Sequence, residues 1–290
     1  MRDKGSELIL NADRSIYHLN LHREDIADTI ITVGDPDRVP MVSRYFDSVE
    51  LRKGKREFIT HTGHLNKMRL TVISTGIGTD NIDIVINELD ALVNIDLDTG
   101  RVRPAPKQLR FIRIGTSGAI QPEIAIDSIM LSKYAVGLDG LLHFYREATP
   151  YEIAFQNAFT THMDWASSKA LPYFTKADER LYGQFESELS AKGFTATNAG
   201  FYGPQGRALR LTPQDADLAG KMATFEYKGQ KVTNLEMETA GLYGLSNLFG
   251  HKAVSLSCIL ANRATGRFSK NPEKAVEKII NYTLDKLAAS

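Results

Sequence analysis

Gln205 and Arg207 stand two residues apart in Phe201-Tyr202-Gly203-Pro204-Gln205-Gly206-Arg207. A glutamine amide offers one acceptor oxygen and two donor hydrogens, and an arginine offers donors only, in a planar fork. Together they can match the acceptor, donor, acceptor edge of a pyrimidine such as uracil. Gln205 would accept from the ring N3–H and donate to O2, and Arg207 would donate to O4. The same residues also describe an ordinary solvated turn bent by Gly203-Pro204, so their company decides between the two.

Three further segments carry chemistry. In Gly34-Asp35-Pro36-Asp37-Arg38, Gly34 permits close backbone approach. Arg38 either reaches an anion beside a helix N-terminus or is a solvated residue of a capped helix start. Arg113 follows Leu109-Arg110-Phe111-Ile112, a run too apolar for a free cation, so it must meet a carboxylate or a bound anion. Gly115-Thr116-Ser117-Gly118 then reads as a turn whose N–H groups and hydroxyls suit a phosphate. In Asn234-Leu235-Glu236-Met237-Glu238-Thr239, two carboxylates bracket a methionine where a strand becomes a helix. Positions i and i+2 do not share a helical face, so separate jobs are expected. One glutamate would favour the helix start and the other bind sugar hydroxyls, unless both serve the dipole.

The elements that must hold these residues follow from periodicity. Residues 29–33 read as a buried strand, and 56–60 with 68–73 as a hairpin around Gly63. The glycine turn at 74–78 either helps the site or allows tight packing, and residues 79–96 place Ile82, Val85, Ile86, Leu89, Leu92 and Val93 on one helical face. Strands are expected at 109–114, 124–131, near 194–200 and at 253–260, with helices near 179–192 and at 236–249. Asn271-Pro272 opens a terminal helix, and residues 98–107 read as an exposed insertion. Such alternation predicts an α/β layered fold around a largely parallel sheet, as one domain over 1–290, with ligands at the carboxyl ends of strands.

Composition narrows the classes of function. Lys plus Arg and Asp plus Glu both number 35 in 290 residues, so no global field draws the chain to nucleic acid or a membrane surface. Any bound anion must be held by a local pocket. One cysteine, Cys258 in an apolar run, excludes an intrachain disulfide and a cysteine-based zinc site. The polar segment Met1 to Glu7 and the lack of a spanning apolar run lead us to expect a cytoplasmic protein.

In order, GDPDR (34–38), KREF (55–58), STGIG (74–78), RIGTSGAIQP (113–122), FYGPQGR (201–207), NLEMETA (234–240) and ANR (261–263) resemble the nucleoside phosphorylase family, most of all its uridine-cleaving members. The resemblance implies a three-layer α/β/α fold with a mixed, partly barrel-like central sheet, and reversible phosphorolysis of uridine to uracil and ribose 1-phosphate. It assigns phosphate to Gly34, Arg38, Arg113 and Thr116, with Arg56 added from a neighbouring copy. It assigns ribose to Met237, Glu238 and a His18 that crosses from that neighbour, and the base to Phe201, Gln205 and Arg207. Gln205, Arg207 and Glu238 would carry catalysis. Phosphate is then a co-substrate, no cofactor or metal is expected, and a homo-oligomer of at least two copies is implied. Arg263 resembles an arginine beside a lid, here about 264–272.

Some features depart from the family pattern. Gly203-Pro204 stands where Pro-Gly is expected, and Thr79-Asp80-Asn81 replaces Gly-Pro-Ser, which weakens the case for a monovalent cation near Glu57 and Ile77. The insertion at 98–107 and a lengthened stretch at 140–180 bear on assembly beyond a dimer. A purine or broad-specificity phosphorylase is the alternative, but its usual base-protonating aspartate has no counterpart in Leu260-Ala261-Asn262-Arg263. A nucleosidase would not need arginines on an anion, and a non-catalytic nucleoside-binding sensor would bind without turnover.

Overall fold

Runs of apolar residues too long for one exposed face become strands covered on both sides. In the computed structural model, which describes residues 6–146 and 153–289, the Thr29–Val33 strand is buried at every position. Residues 1–5 of the polar N-terminal segment and 147–152 of the lengthened stretch lie outside the described residues. In chain order the main elements are β1 (Thr29–Val33), α1 (Arg38–Ser43), β2 (Ser48–Lys55), β3 (Phe58–Leu65), β4 (Met68–Ser74) and α2 (Thr79–Asn94). Next come β5 (Arg110–Ala119), β6 (Ile129–Gly137), α3 (Ile153–Met163), β7 (Tyr173–Lys176), α4 (Glu179–Phe185) and β8 (Ser190–Thr197). The chain ends with α5 (Leu218–Thr224), β9 (Asn234–Glu236), α6 (Thr239–Leu248), β10 (Lys252–Asn262), β11 (Arg267–Phe268) and α7 (Pro272–Ala288).

These strands form one mixed sheet in the order β11-β10-β6-β8-β9-β5-β1-β4-β3-β2, with β7 on β6. β5 also pairs with β10, so β5, β9, β8, β6 and β10 close on themselves as a barrel. The first half of β5 runs parallel to β1 and β10, placing Arg113 opposite Thr32 and Ser255; its end turns to β9, antiparallel at Gly118 and Ala119. Helices flank the sheet. α6 packs on β6, β7, β8 and β10 and against α2, whereas α4 and α7 pack on each other and on β10. This is the α/β architecture with a partly barrel-like mixed sheet that the motifs implied. An aromatic cluster of Phe155, Phe159, Phe174, Phe194 and Phe225 joins α3 to the barrel.

Several boundaries differ from the sequence reading. β3 continues through Gly63, and the hairpin turns instead at Asn66-Lys67, both at positive φ, the geometry that suits a two-residue loop. Gly63 lies mid-strand because a Cβ there would meet the Ser48 carbonyl oxygen at 2.0 Å. Arg56 is a turn residue at φ 56° between β2 and β3 rather than a strand residue. Gly115 to Gly118 form no turn, since β5 exchanges one partner for another and runs on to Ala119. The strand expected from 124 starts at Ile129, where pairing with β8 and β10 begins. α4 stops at Phe185, short of 192, because Ser190 already pairs with Ile129 in the β8 ladder. α6 starts at Thr239, after Glu236 has closed β9, and α3, β7 and α5 were not anticipated. The 98–107 insertion is a short exposed hairpin in which Ile95-Asp96 pairs with Arg101-Val102.

Candidate active site

The carboxyl ends of β1 and β9, the middle of β5 and the β4–α2 turn converge on a cleft of about 530 Å³. Gly34, Arg38, Arg113, Thr116, Phe201, Met237 and Glu238 all line it, together with Gly76, Ile77, Gly115 and Glu236. Thus most of the residues assigned from sequence to phosphate, ribose and base meet in one place.

Arg113 is buried on β5, and alternate residues of a strand share a face, so its side chain passes over Gly115. A Cβ on Gly115 would stand 2.0 Å from Arg113 Nη1, so only glycine leaves the guanidinium its place. Arg113 Nη2 donates to Glu238 Oε2 and lies 3.3 Å from Glu236 Oε2. The buried cation therefore meets two carboxylates. Burial opposes its charge, but Glu238 and then Glu236 outweigh burial and hold the guanidinium above its usual pKa. Glu238 is raised as well, by burial first and by Glu236, against the pull of Arg113. One guanidinium shared by two carboxylates leaves the acids in excess.

Beyond the Arg113 they share, the two glutamates have separate partners. Glu236 Oε2 accepts from the N–H groups of Glu238 at 3.1 Å and Thr239 at 2.9 Å and from the Thr239 hydroxyl at 2.8 Å, while Oε1 accepts from Thr197 Oγ1 at 2.6 Å. It is a carboxylate cap on α6. Glu238 Oε1 accepts from the Gly78 N–H at 2.8 Å, which ties the glycine turn before α2 to the site. Glu236 also lines the cleft, a position sequence reasoning did not assign; the hydroxyl at Thr239, three residues on, was the available signal. Arg38 is the less committed cation. It donates to the Ile114 carbonyl at 3.2 Å and has no ion pair among the described residues. Burial foremost lowers its pKa, against the nearby Asp35, yet a guanidinium stays charged at neutral pH.

The turn that the sequence assigned to the base is a 3-10 segment, Gly203–Gln205, closed by Gly206 at φ 68°. Gln205 is buried and Arg207 Nη1 donates to its Oε1 and, at 3.0 Å, to the Phe201 carbonyl. The Arg207 guanidinium lies 3.9 Å from the centre of the Phe201 ring, and Arg263 donates to the Gln205 carbonyl. Burial, then Arg263, lowers the Arg207 pKa. Gln205 and Arg207 do not themselves line the cleft. Phe201 does, and Arg207 faces an adjoining cleft with Leu209 and Leu211. The Gln205 acceptor, expected to be open, is already shared with Arg207 and keeps one lone pair.

His18 and Arg56 lie elsewhere on the chain. His18 sits beside α2 with Nδ1 2.6 Å from Glu88, and Arg56 is exposed on the β2–β3 turn. Lys55 joins their two segments, since its Nζ donates to the Tyr17 carbonyl at 2.6 Å and to Asn11 Oδ1 at 2.8 Å.

A profile of the Phosphorylase superfamily matches residues 28–288. This chain belongs to the phosphorylase superfamily. Within the superfamily, it is 32% identical to the uridine phosphorylase of Thermococcus kodakarensis over 272 residues, 94% of this chain and 86% of that protein. It is 30% identical to the uridine phosphorylase of Escherichia coli over 258 residues, 86% of each. Among solved structures, a Trypanosoma brucei nucleoside phosphorylase described as showing uridine phosphorylase activity aligns with a TM-score of 0.84 at 26% identity, covering 98% of this chain and 100% of that one. A purine nucleoside phosphorylase from Toxoplasma gondii shares the fold, with a TM-score of 0.70 at 19% identity over 97% of this chain and 98% of that one. Every cleft residue of this phosphorylase falls inside the matched range, and His18 precedes it.

Proposed function

We propose that this chain is a uridine phosphorylase, transferring the ribosyl group of uridine reversibly to inorganic phosphate. The observation that carries the reading is the convergence on one cleft of Arg38, Arg113 and Thr116, of Met237 and Glu238, and of Phe201, against whose ring and carbonyl Arg207 packs. The uridine phosphorylases of Thermococcus kodakarensis and Escherichia coli match 94% and 86% of the chain and support the same choice.

Cleavage of the bond from the ribose anomeric carbon to uracil N1 sends the electron pair into the base and leaves positive charge on the sugar. Acids in excess around Glu238 stabilise that charge, and its carboxylate accepts from the ribose hydroxyls. Donors at Gln205 and Arg207 stabilise the departing uracil anion, the oxyanion-hole principle applied to a base. Arg38, Arg113, Thr116 and the Gly34 backbone hold phosphate on the opposite face, so that its oxygen forms the new bond in line. Arg56 and His18 of a second copy complete the phosphate and ribose ends, which makes the working unit at least a dimer. No helix among the described residues is long and apolar enough to cross a membrane, and we place the enzyme in the cytoplasm.

Release of uracil from uridine and deoxyuridine, of thymine from thymidine and of hypoxanthine from inosine, measured with and without phosphate, tests the assignment. Uridine is expected to be cleaved in phosphate only. Cleavage without phosphate, or a preference for inosine, overturns it.

A further inference from the structure

We propose that Glu88 is the positioning residue for His18, aiming the histidine that this chain lends to the ribose of a second copy. The inference rests on the ribose role of His18 given above. Glu88 projects from α2 toward the segment that precedes β1. Its two oxygens each lie 3.0 Å from the His18 backbone N–H, Oε2 accepts the Leu19 N–H at 2.9 Å, and Oε1 lies 2.6 Å from His18 Nδ1. A single carboxylate thus holds both the backbone and the ring of one residue.

The chemistry of that contact fixes the ring. An ionised carboxylate has only lone pairs to offer, so Nδ1 carries the hydrogen and donates it. Nε2 then becomes the outward nitrogen, and it has no hydrogen-bond partner among the described residues. A sugar hydroxyl both gives and accepts, so it can meet Nε2 in either charge state of the ring. A free histidine would spread over two tautomers and several rotamers. Here the carboxylate and the edge of the Tyr17 ring, 4.8 Å between centroids, leave one orientation. Lys55, bonded to the Tyr17 carbonyl, ties the same segment to the turn that carries Arg56. The neighbouring Asn87 amide is occupied by Tyr145 and Asp83, so Glu88 alone on this stretch of α2 serves His18.

The test is a double-mutant cycle on the full chain, with KM for uridine and for phosphate measured separately in H18A, E88Q and H18A/E88Q. H18A and E88Q are each expected to raise the uridine KM about fivefold to tenfold and to leave the phosphate KM within about twofold, with the double variant no worse than H18A. E88D keeps the charge on a shorter arm and is expected to recover part of the loss. If E88Q fails to fold, as read from its thermal melt, the same cycle is run with E88D. A normal uridine KM in both Glu88 variants, beside an impaired H18A, removes the role of Glu88 and leaves that of His18. A normal uridine KM in H18A removes the ribose reading and this inference with it. Independent, multiplying effects in the double variant, or equal rises in both KM values, overturn the proposal.

Discussion

Glu238 is held in a way that sets opposite demands on its proton. In the proposed role its carboxylate must be ionised to accept from ribose hydroxyls, yet burial and the adjacent Glu236 raise its pKa despite Arg113. The KM for uridine is therefore expected to climb as pH falls through that raised pKa, at a higher pH than an ordinary glutamate would cause. Stability runs the other way. A raised folded-state pKa means the folded chain keeps a proton the unfolded chain has lost. That contribution is complete below the unfolded glutamate pKa of about 4.3 and is lost as pH rises through the folded value. In E238Q the uridine KM should be high and flat with pH. Initial rates at saturating phosphate, in wild type and E238Q from about pH 5 to about pH 8, measure this; parallel profiles would contradict it. The neighbouring arginines stay charged over this range, so they add no slope of their own.

At the scale of elements, the β2–β3 pair presents Arg56, and its pairing hangs on a close approach. A methyl group at Gly63 would meet the Ser48 carbonyl oxygen at 2.0 Å, and backbone cannot swing aside as a side-chain tip can. Gly63→Ala is expected to destabilise the fold by about 3 kcal/mol and to raise the phosphate KM, because the turn bearing Arg56 shifts with β2. A denaturant midpoint equal to that of wild type would show that β2 yields cheaply. The amphipathic periods of α2 and α7 and the apolar run of β1 were plain in the sequence, because each is decided by its own residues. The glycines after Arg113 misled for the opposite reason: β5 stays extended there through bonds such as Ser117 Oγ to the Leu235 carbonyl, made 118 residues away. Local residue types cannot show a partner at that distance. Most of the cleft was legible because motif order carried Arg38, Arg113 and Glu238 together, whereas the sharing of Gln205 Oε1 with Arg207, and which of the two glutamates caps α6, depend on side-chain geometry.

For the whole molecule, the cleft and the residues assigned to a neighbour lie on different parts of one chain, as a two-fold pair requires when each copy lends what the other lacks. E238Q spoils a cleft and leaves Arg56 intact, and R56A does the reverse. Each variant alone is expected to be nearly inactive, but co-expressed they should form mixed dimers with one sound site, recovering about a quarter of wild-type activity for random pairing. No recovery, once mixed dimers are shown by two different affinity tags, would place Arg56 outside the site. The cleft itself has two unlike walls. β5 is paired with β1, β10 and β9 along its length, so this floor of the cleft cannot shift without opening the barrel. Phe201 enters the cleft from beside a short 3-10 segment and is half exposed, and Tyr202, Leu209 and Leu211 of the adjoining cleft are more exposed still. A vise with one fixed jaw adapts only at the other. On the proposed reading, a new base preference can thus be written into the 201–211 segment alone, while the strand assigned to the anion stays as it is.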